Sequence, residues 1–301
     1  KDLKVNLDKI RIKINVQNLS LFLSTKKPAV EYQNIQVPIN EFKIFVDFFS
    51  LFTNQVKIEK INVKVDEIEI KDLKQMILKT KPSNFKSFII KNFQNGSVEG
   101  DLSLDYLKEN KFDYQLKGVL NNAEINVFKN KFKNINLNFI ADNKNIFFNG
   151  ISFNYKEIFI DNGSLNIDMD KSYFIDGTLA SKIDLNRDQI KNLSNDLSNL
   201  KIPSEIKDFN LKASVIKKFK VELDKTLKVN NYQFDIKSDI LNSSLVFKKP
   251  KKIFFLENEL DKISFGKGII NIDKTFGSPL NIFSEGIYKI NDVSSFEKYK
   301  V

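Results

Sequence analysis

The feature that most constrains the fold is an alternation of apolar and polar side chains with a period of two residues. Ile61, Val63 and Val65, for example, alternate with polar residues, and the pattern recurs along most of the 301 residues. Because successive side chains of a strand point to opposite sides, it predicts strands with one apolar and one polar face. Tight-turn sequences such as Asn95-Gly96 separate them. We therefore predict a mainly β fold, a long twisted antiparallel meander of roughly fifteen or more strands.

The segment at residues 41–54 departs from this pattern. Its polar residues have the spacing of a single stripe on a helix. These residues are Lys43, Asp47, Ser50 and Asn54. We predict a Phe-rich amphipathic helix near 41–54, capped by Asn40, that leads into a strand. The helix either packs on an ordinary sheet core or closes one end of an open, apolar-lined sheet, and this segment alone favours the first interpretation.

Two further helices are predicted near residues 83–93 and 187–200, and residues 73–79 have a weaker helical pattern. Asn186 and Gln189 fit a capping box, with Asn in the place of Ser or Thr. The apolar seam of this helix consists of Ile190, Leu193, Leu197 and Leu200. Since no linker rich in Pro, Gly or Ser divides the chain, we predict a single elongated domain over residues 1–301 with two or three short amphipathic helices.

Several glycines fall on the apolar side of predicted strands. Gly118 occurs in the arrangement Tyr114, Leu116, Gly118, Leu120, which returns as Tyr173, Ile175, Gly177, Leu179; Gly150 and Gly286 have the same parity. A glycine on the inward face either leaves room for a neighbour or marks a β-bulge, and the sequence favours neither.

The composition restricts the possible partners. The net charge is +10, from 48 basic and 38 acidic residues, but Arg11 and Arg187 are the only arginines. Nucleic-acid recognition relies on the planar guanidinium, so we expect no nucleic-acid partner. The lysines alternate with acids along the strands, which is typical of a solvated face. The net positive charge is also compatible with a weak attraction to anionic lipid headgroups.

The chain lacks the residues that most enzymes need. It has no Cys and no His, which excludes disulfides, thiol chemistry and histidine bases or metal ligands. The Gly266-Lys267-Gly268 string lacks the third glycine of a dinucleotide site. Asp168 and Asp170 fit a solvated strand face. We therefore expect a protein that is not an enzyme and holds no metal or cofactor.

The order of elements resembles that of the AsmA, YhdP and TamB group of bacterial lipid-transport proteins. The resemblance lies in alternating strands, then a Phe-rich amphipathic helix, then the strand text Gln55-Val-Lys-Ile-Glu-Lys-Ile-Asn-Val63, and in the later unit Tyr173 to Leu179 followed by Ile183-Asp-Leu185 and a short helix. It covers most of the chain as a pattern of alternation rather than as signature residues.

This resemblance implies a taco-shaped antiparallel sheet whose open apolar groove holds the acyl chains of glycerophospholipids in transit between the inner and outer membranes. It implies a periplasmic location, with an inner-membrane anchor that is not part of this chain, a role in outer membrane biogenesis, and no catalytic residues. An envelope protein partner is conceivable but unidentified.

The predicted groove lining is Tyr114, Leu116, Ile135, Leu137, Phe139, Phe148, Phe153, Tyr173, Ile175 and Phe234. Phe42, Phe45, Phe49 and Phe52 are predicted to form an end plug or cap on the helix at 41–54. Two alternatives stay open. One is a structural or adhesive β-rich module with a self-filled core and no lipid. The other is a hydrolase that runs on carboxylates, although no convergent acidic set is visible.

Overall fold

The computed structural model of the chain describes residues 3–7, 9–15, 20–32, 34–47, 49–52, 57–107, 111–127, 130–194, 203–252, 259–291 and 295–301. The chain divides into two compact units. The first unit comprises Lys1–Gly150, Asn166–Tyr173 and Lys225–Leu227, and the second comprises Ile151–Leu165, Phe174–Asp224 and Lys228–Val301.

Within the described residues, the secondary structure is mainly β. The strands are β1 (Leu3–Asn6), β2 (Arg11–Asn15), β3 (Ser20–Lys26), β4 (Ala29–Tyr32), β5 (Ile35–Asp47), β6 (Ile58–Glu69), β7 (Ser97–Leu107), β8 (Lys111–Val127), β9 (Asn130–Ala141), β10 (Asn145–Tyr155), β11 (Ile158–Asp168), β12 (Tyr173–Asn186), β13 (Ile206–Leu223), β14 (Val229–Lys251), β15 (Leu260–Thr275), β16 (Asn281–Ile290) and β17 (Glu297–Lys300). The helices are α1 (Ile70–Leu78), α2 (Asn84–Asn92) and α3 (Arg187–Ser194), with a short 3₁₀ helix at Phe49–Phe52.

The strands form one open antiparallel meander sheet, which confirms the predicted fold class. Strands β5 to β9 pair in sequence order, and so do β13 to β17. The first part of β5 pairs with β4 and its second part with β3. At the break between β3 and β4, Lys27 has a φ of 47° and its backbone N–H donates to the Asn40 carbonyl at 2.7 Å. Strands β3 and β4 are therefore one interrupted strand alongside β5.

The prediction of a helix near residues 41–54 is wrong over residues 41–47, because these residues belong to β5. The segment continues into the 3₁₀ helix at 49–52, and residues 48, 53 and 54 lie outside the described residues. Asn40 does not cap a helix; its side-chain amide donates to the Asp66 carboxylate at 2.9 Å.

The physical reason is that most of this segment fits a period of two as well. Phe42, Ile44 and Val46 pair with apolar residues of β6, and the aromatic and β-branched side chains favour strand structure. Only Phe45 breaks the alternation. Its ring packs against Phe22 of β3 on the polar side of the sheet, with ring centroids 5.3 Å apart.

Helices α1 and α2 follow β6 and lie at the end of the first unit's sheet where β6 stops and β7 begins. Helix α2 confirms the prediction near 83–93; the Ser83 hydroxyl caps it by accepting from the Lys86 backbone N–H at 3.2 Å. The well-buried apolar residues at this end are Ile68, Ile70, Leu120, Ala123 and Ile135. The helices therefore cover the sheet at this end.

Helix α3 follows β12 in the second unit and begins with the predicted capping box. The Gln189 backbone N–H donates to Asn186 Oδ1 at 3.0 Å, and the Asn186 backbone N–H donates to Gln189 Oε1 at 2.9 Å. Ile190 and Leu193 are buried against Leu185. The helix prediction over 187–200 is thus confirmed to residue 194, and 195–200 lie outside the described residues.

Candidate functional site

The first unit presents a continuous apolar face, built by residues that pair directly across neighbouring strands. Paired residues of an antiparallel sheet share a face, so the strand register defines rows of side chains. One row is Phe42, Val63, Leu102, Leu116 and Ala141, and a second is Leu23, Ile44, Ile61, Leu104 and Tyr114. Two further rows are Gly100, Gly118 and Phe139, and Val98, Leu120 and Leu137. We call these rows the first apolar face.

The opposite side of the same strands is charged. Its rows include Glu41, Lys64, Asp101 and Lys117, and Lys43, Asn62, Ser103 and Gln115. Lys43 forms an ion pair with Glu41 at 2.7 Å, and Lys60 one with Asp105 at 3.2 Å. These charges and ion pairs make this the side of the sheet that suits water, whereas the first apolar face offers water only hydrocarbon.

Most of the first apolar face is half-buried rather than buried. Towards the edge of the sheet, Ile12 and Ile14 on the same side are 69% and 59% exposed. Throughout the described part of the chain, no large side chain is less than 2% exposed. A sheet face packed beneath a second protein layer normally contains fully buried side chains, whereas the first unit has a few closely buried residues, such as Ile70 and Val46, and a half-buried remainder.

The total accessible surface supports this description. It amounts to 20267 Å² for a chain of 34.9 kDa. A single compact globule of this mass exposes about 13,000 Å², and two separate compact globules of half the mass expose about 16,000 Å² together. This excess agrees with the half-burial of the strand faces.

The second unit has an equivalent surface. Its rows are Phe219, Phe234 and Lys274; Lys217, Ile236, Ile272 and Ile282; Val215, Ser238, Ile270 and Ser284; and Ala213, Ile240, Gly268, Gly286 and Tyr299. We call these rows the second apolar face. The other side of β12 and β13 is again charged, with ion pairs between Lys212 and Asp184 at 3.0 Å and between Lys220 and Asp176 at 3.9 Å.

An aromatic ring lies over a glycine on both faces. A Cβ on Gly118 would come within 2.6 Å of Phe139 Cζ, and a Cβ on Gly177 within 2.6 Å of Phe219 Cζ. Both glycines therefore make room for a ring from the neighbouring strand, as one of the two alternatives predicted. Gly150 instead has a φ of +59° and is exposed, which fits the bulge alternative.

The structure brings part of the predicted lining together. Tyr114, Leu116, Leu137 and Phe139 lie on the first apolar face, and Phe234 lies on the second. Phe148 and Phe153 in β10 and Ile175 in β12 are half-buried. Two residues differ in setting. Ile135 is 5% exposed at the helix-covered end, and Tyr173 belongs to the first unit, beneath the Lys225 ammonium at 4.7 Å from its ring centroid.

The predicted plug residues do not act as one group. Phe42 lies on the first apolar face, whereas Phe45 lies on the opposite side, because a strand points them in opposite directions. Phe52 is 78% exposed. The side chain of Phe49 lies outside what the structure describes.

Sequence reasoning missed Lys217, which lies on the second apolar face between Val215 and Phe219. The residue is exposed overall, yet desolvation by the surrounding protein lowers the pKa of Lys217 below its ordinary value of 10.5. The signal was present in the sequence, because Lys217 has the same parity as the apolar residues on either side of it.

The described residues offer no metal cluster of three or more His, Cys, Asp or Glu side chains. Among the helices that the structure describes, none combines the length and hydrophobicity needed to cross a bilayer. Burial, followed by the charges of Asp142 and Asp113, raises the pKa of Tyr114 above 10.0, so this tyrosine is a neutral hydroxyl on the apolar face rather than a base. The chemistry that the two faces offer is apolar contact.

No family model, curated protein or solved structure matches the chain.

Proposed function

We propose that the chain is a non-enzymatic segment of a phospholipid conduit. In this proposal the acyl chains of glycerophospholipids lie on the apolar faces of the sheet while the headgroups face water, and the lipids pass between the inner and outer membranes of a bacterial envelope. The observation that supports the proposal best is the set of apolar rows that continue across paired strands and that, among the described residues, stay mostly half-buried.

The energetics of one-sided contact suit transport rather than storage. Complete burial of a methylene contributes about 0.8 kcal/mol, so contact on one side contributes about half of that. Such contact has no preferred direction along a row, because the side chains offer neighbouring methylenes nearly the same surface. A lipid is therefore held along its length and still slides from one row to the next.

A crosslinking experiment tests the proposal by comparing the two sides of one strand. A photoreactive phenylalanine analogue is placed at Leu116, on the first apolar face, or at the adjacent Lys117, on the charged side. The full chain is produced in the periplasm of a bacterium with two membranes, irradiated, and examined by mass spectrometry. We expect phospholipid adducts at 116 and few or none at 117.

Equal labelling at both positions, or none at 116, would contradict the proposal. The competing function is a structural or adhesive module whose apolar faces are covered by protein. It predicts a purified chain without extractable phospholipid that does not bind an apolar dye, and this pair of results would favour it.

A further inference from the structure

Two lysines interrupt the second apolar face, and they differ in their contacts. The Lys274 ammonium donates to the Ser278 carbonyl at 2.9 Å, which ties it to the turn after β15. The Lys217 ammonium lies 5.9 Å from the ring centroid of Phe219 and 5.5 Å from that of Phe234. Among the residues that the structure describes, no carboxylate or carbonyl accepts a hydrogen bond from Lys217.

The position of Lys217 is set by the strand register. It pairs directly with Ile236, which in turn pairs with Ile272, and that residue pairs with Ile282. The next three residues along this row, on β14, β15 and β16, are thus all isoleucines. The adjacent row contains Phe219 and Phe234, so apolar side chains border the ammonium on two sides.

A cation in this setting is unfavourable for the folded chain. A ring face within about 6 Å attracts an ammonium only weakly at an exposed site, and it replaces neither water nor a carboxylate. The lowered pKa of Lys217 has the same cause, since desolvation disfavours the charged form. An apolar residue at this position would continue the row of isoleucines at no cost in desolvation. The presence of a charge instead suggests an anionic partner from outside the chain.

We propose that Lys217 binds the anionic phosphate of a glycerophospholipid whose acyl chains lie along the row of Ile236, Ile272 and Ile282. This inference rests on the proposed function and adds a headgroup site to it. A cation beside an apolar row matches a ligand that has an anion next to hydrocarbon. A free phosphate ion does not match, because it would need several donors and would gain nothing from the isoleucines.

The site makes the second apolar face selective for net headgroup charge. A hydrogen bond to a charged group at a partly exposed position corresponds to a preference of about tenfold, the low end for such bonds. We therefore expect phosphatidylglycerol to bind about ten times more tightly than phosphatidylcholine, whose choline cation neutralises its own phosphate.

The test uses the full 301-residue chain, freed of lipid, and short-chain dioctanoyl lipids in solution. Dissociation constants for phosphatidylglycerol, phosphatidylcholine and chain-free glycerol phosphate are measured by calorimetry for the native chain and for K217Q, K217R and K218Q. Lys218 is the matched control, because it pairs with Asp235 on the charged side of the same strands. Urea denaturation verifies that each variant folds, and K217R restores the cation should K217Q be unstable.

We expect K217Q to weaken phosphatidylglycerol binding about tenfold and to leave phosphatidylcholine binding unchanged, with K217R and K218Q like the native chain. If both lipids bind the native chain and K217Q alters neither, the headgroup site is overturned while the proposed function stands. Glycerol phosphate that binds as tightly as phosphatidylglycerol would overturn the lipid as the ligand. If neither lipid binds, both proposals fail together.

Discussion

The ring of Phe219 occupies the space that a side chain on Gly177 would fill, with only 2.6 Å between Phe219 Cζ and the position of a Cβ at residue 177. The ring lies across β12 instead of standing away from the sheet. Phe139 lies over Gly118 in the same way. Each of these two rings therefore covers part of the neighbouring strand, which makes the apolar face flatter at that point.

Substituting Gly177 with alanine tests this relationship. The added methyl forces the Phe219 ring away, and we expect a loss of about 1–3 kcal/mol in the free energy of unfolding, the usual cost of overpacking. Urea denaturation measures it. In the F219L background the same substitution should cost clearly less, because the ring is absent. An equal loss of unfolding free energy in the two backgrounds would show that Gly177 does not make room for the Phe219 ring.

The pair of Phe22 and Phe45 provides a test of the strand at residues 41–47. A double-mutant cycle with F22L and F45L should give a coupling of about 0.5–1.5 kcal/mol, the range for aromatic pairs. A helix at this position would remove the cross-strand contact and hence the coupling. Phe22 and Phe42 form the control cycle, since they lie on opposite sides of the sheet and should not couple.

The capping box of α3 determines how firmly this helix is held against the second unit. N186A removes the acceptor for the Gln189 backbone N–H, and we expect a loss of about 1 kcal/mol in the free energy of unfolding. N186S keeps an acceptor and should lose little. Amide hydrogen exchange should also become faster at Ile190 and Leu193. A variant N186A as stable as the native chain would mean that packing on Leu185 alone fixes the helix.

The turn between β9 and β10 should lose stability in acid. The backbone N–H groups of Lys144 and Asn145 donate to Asp142 Oδ1 at 2.7 and 2.8 Å, which holds the pKa of Asp142 below its ordinary value of 3.8. Between the folded and unfolded pKa values the unfolded chain binds more protons, so stability rises with pH in that window. The contribution is complete above 3.8 and is lost as the pH falls through the folded pKa.

The measurement is an NMR titration of the Asp142 carboxyl together with urea denaturation at several acidic pH values. The stability difference between the native chain and D142N should shrink below about pH 4. An Asp142 that titrates at or above 3.8 would contradict the prediction.

The alternation of side chains was sufficient to predict the meander and the polarity of its two sides, and the spacing of Asn186 and Gln189 predicted the capping box of α3. The prediction was wrong over residues 41–47 because the spacing of Lys43 and Asp47 suits a helix and a strand equally. The residue that resolves the ambiguity is Phe22, whose pairing with Phe45 depends on the register of β3 against β5. Local sequence contains no information on that register.

The candidate site was predictable only in part for the same reason. The alternation within each strand placed Tyr114 and Leu116 on one side of β8, and Leu137 and Phe139 on one side of β9. The pairing of β8 with β9 then put all four residues on the same face of the sheet. Ile135 is buried at the helix-covered end of the sheet and follows Asn134, which has a positive φ of 53°. Alternation reveals neither feature. The parity of Lys217 was visible in the sequence, but its place beside Phe234 and Ile236 follows only from the register of β13 against β14.

The pairing of β13 to β17 in sequence order has a consequence for how such a protein changes its size. Because each strand bonds to the strands next to it in the chain, an additional hairpin can be inserted at a turn without rerouting the others. Two strands widen a sheet by about 10 Å. The width of a sheet built in this way can therefore be adjusted in evolution, or by design, in steps of one hairpin.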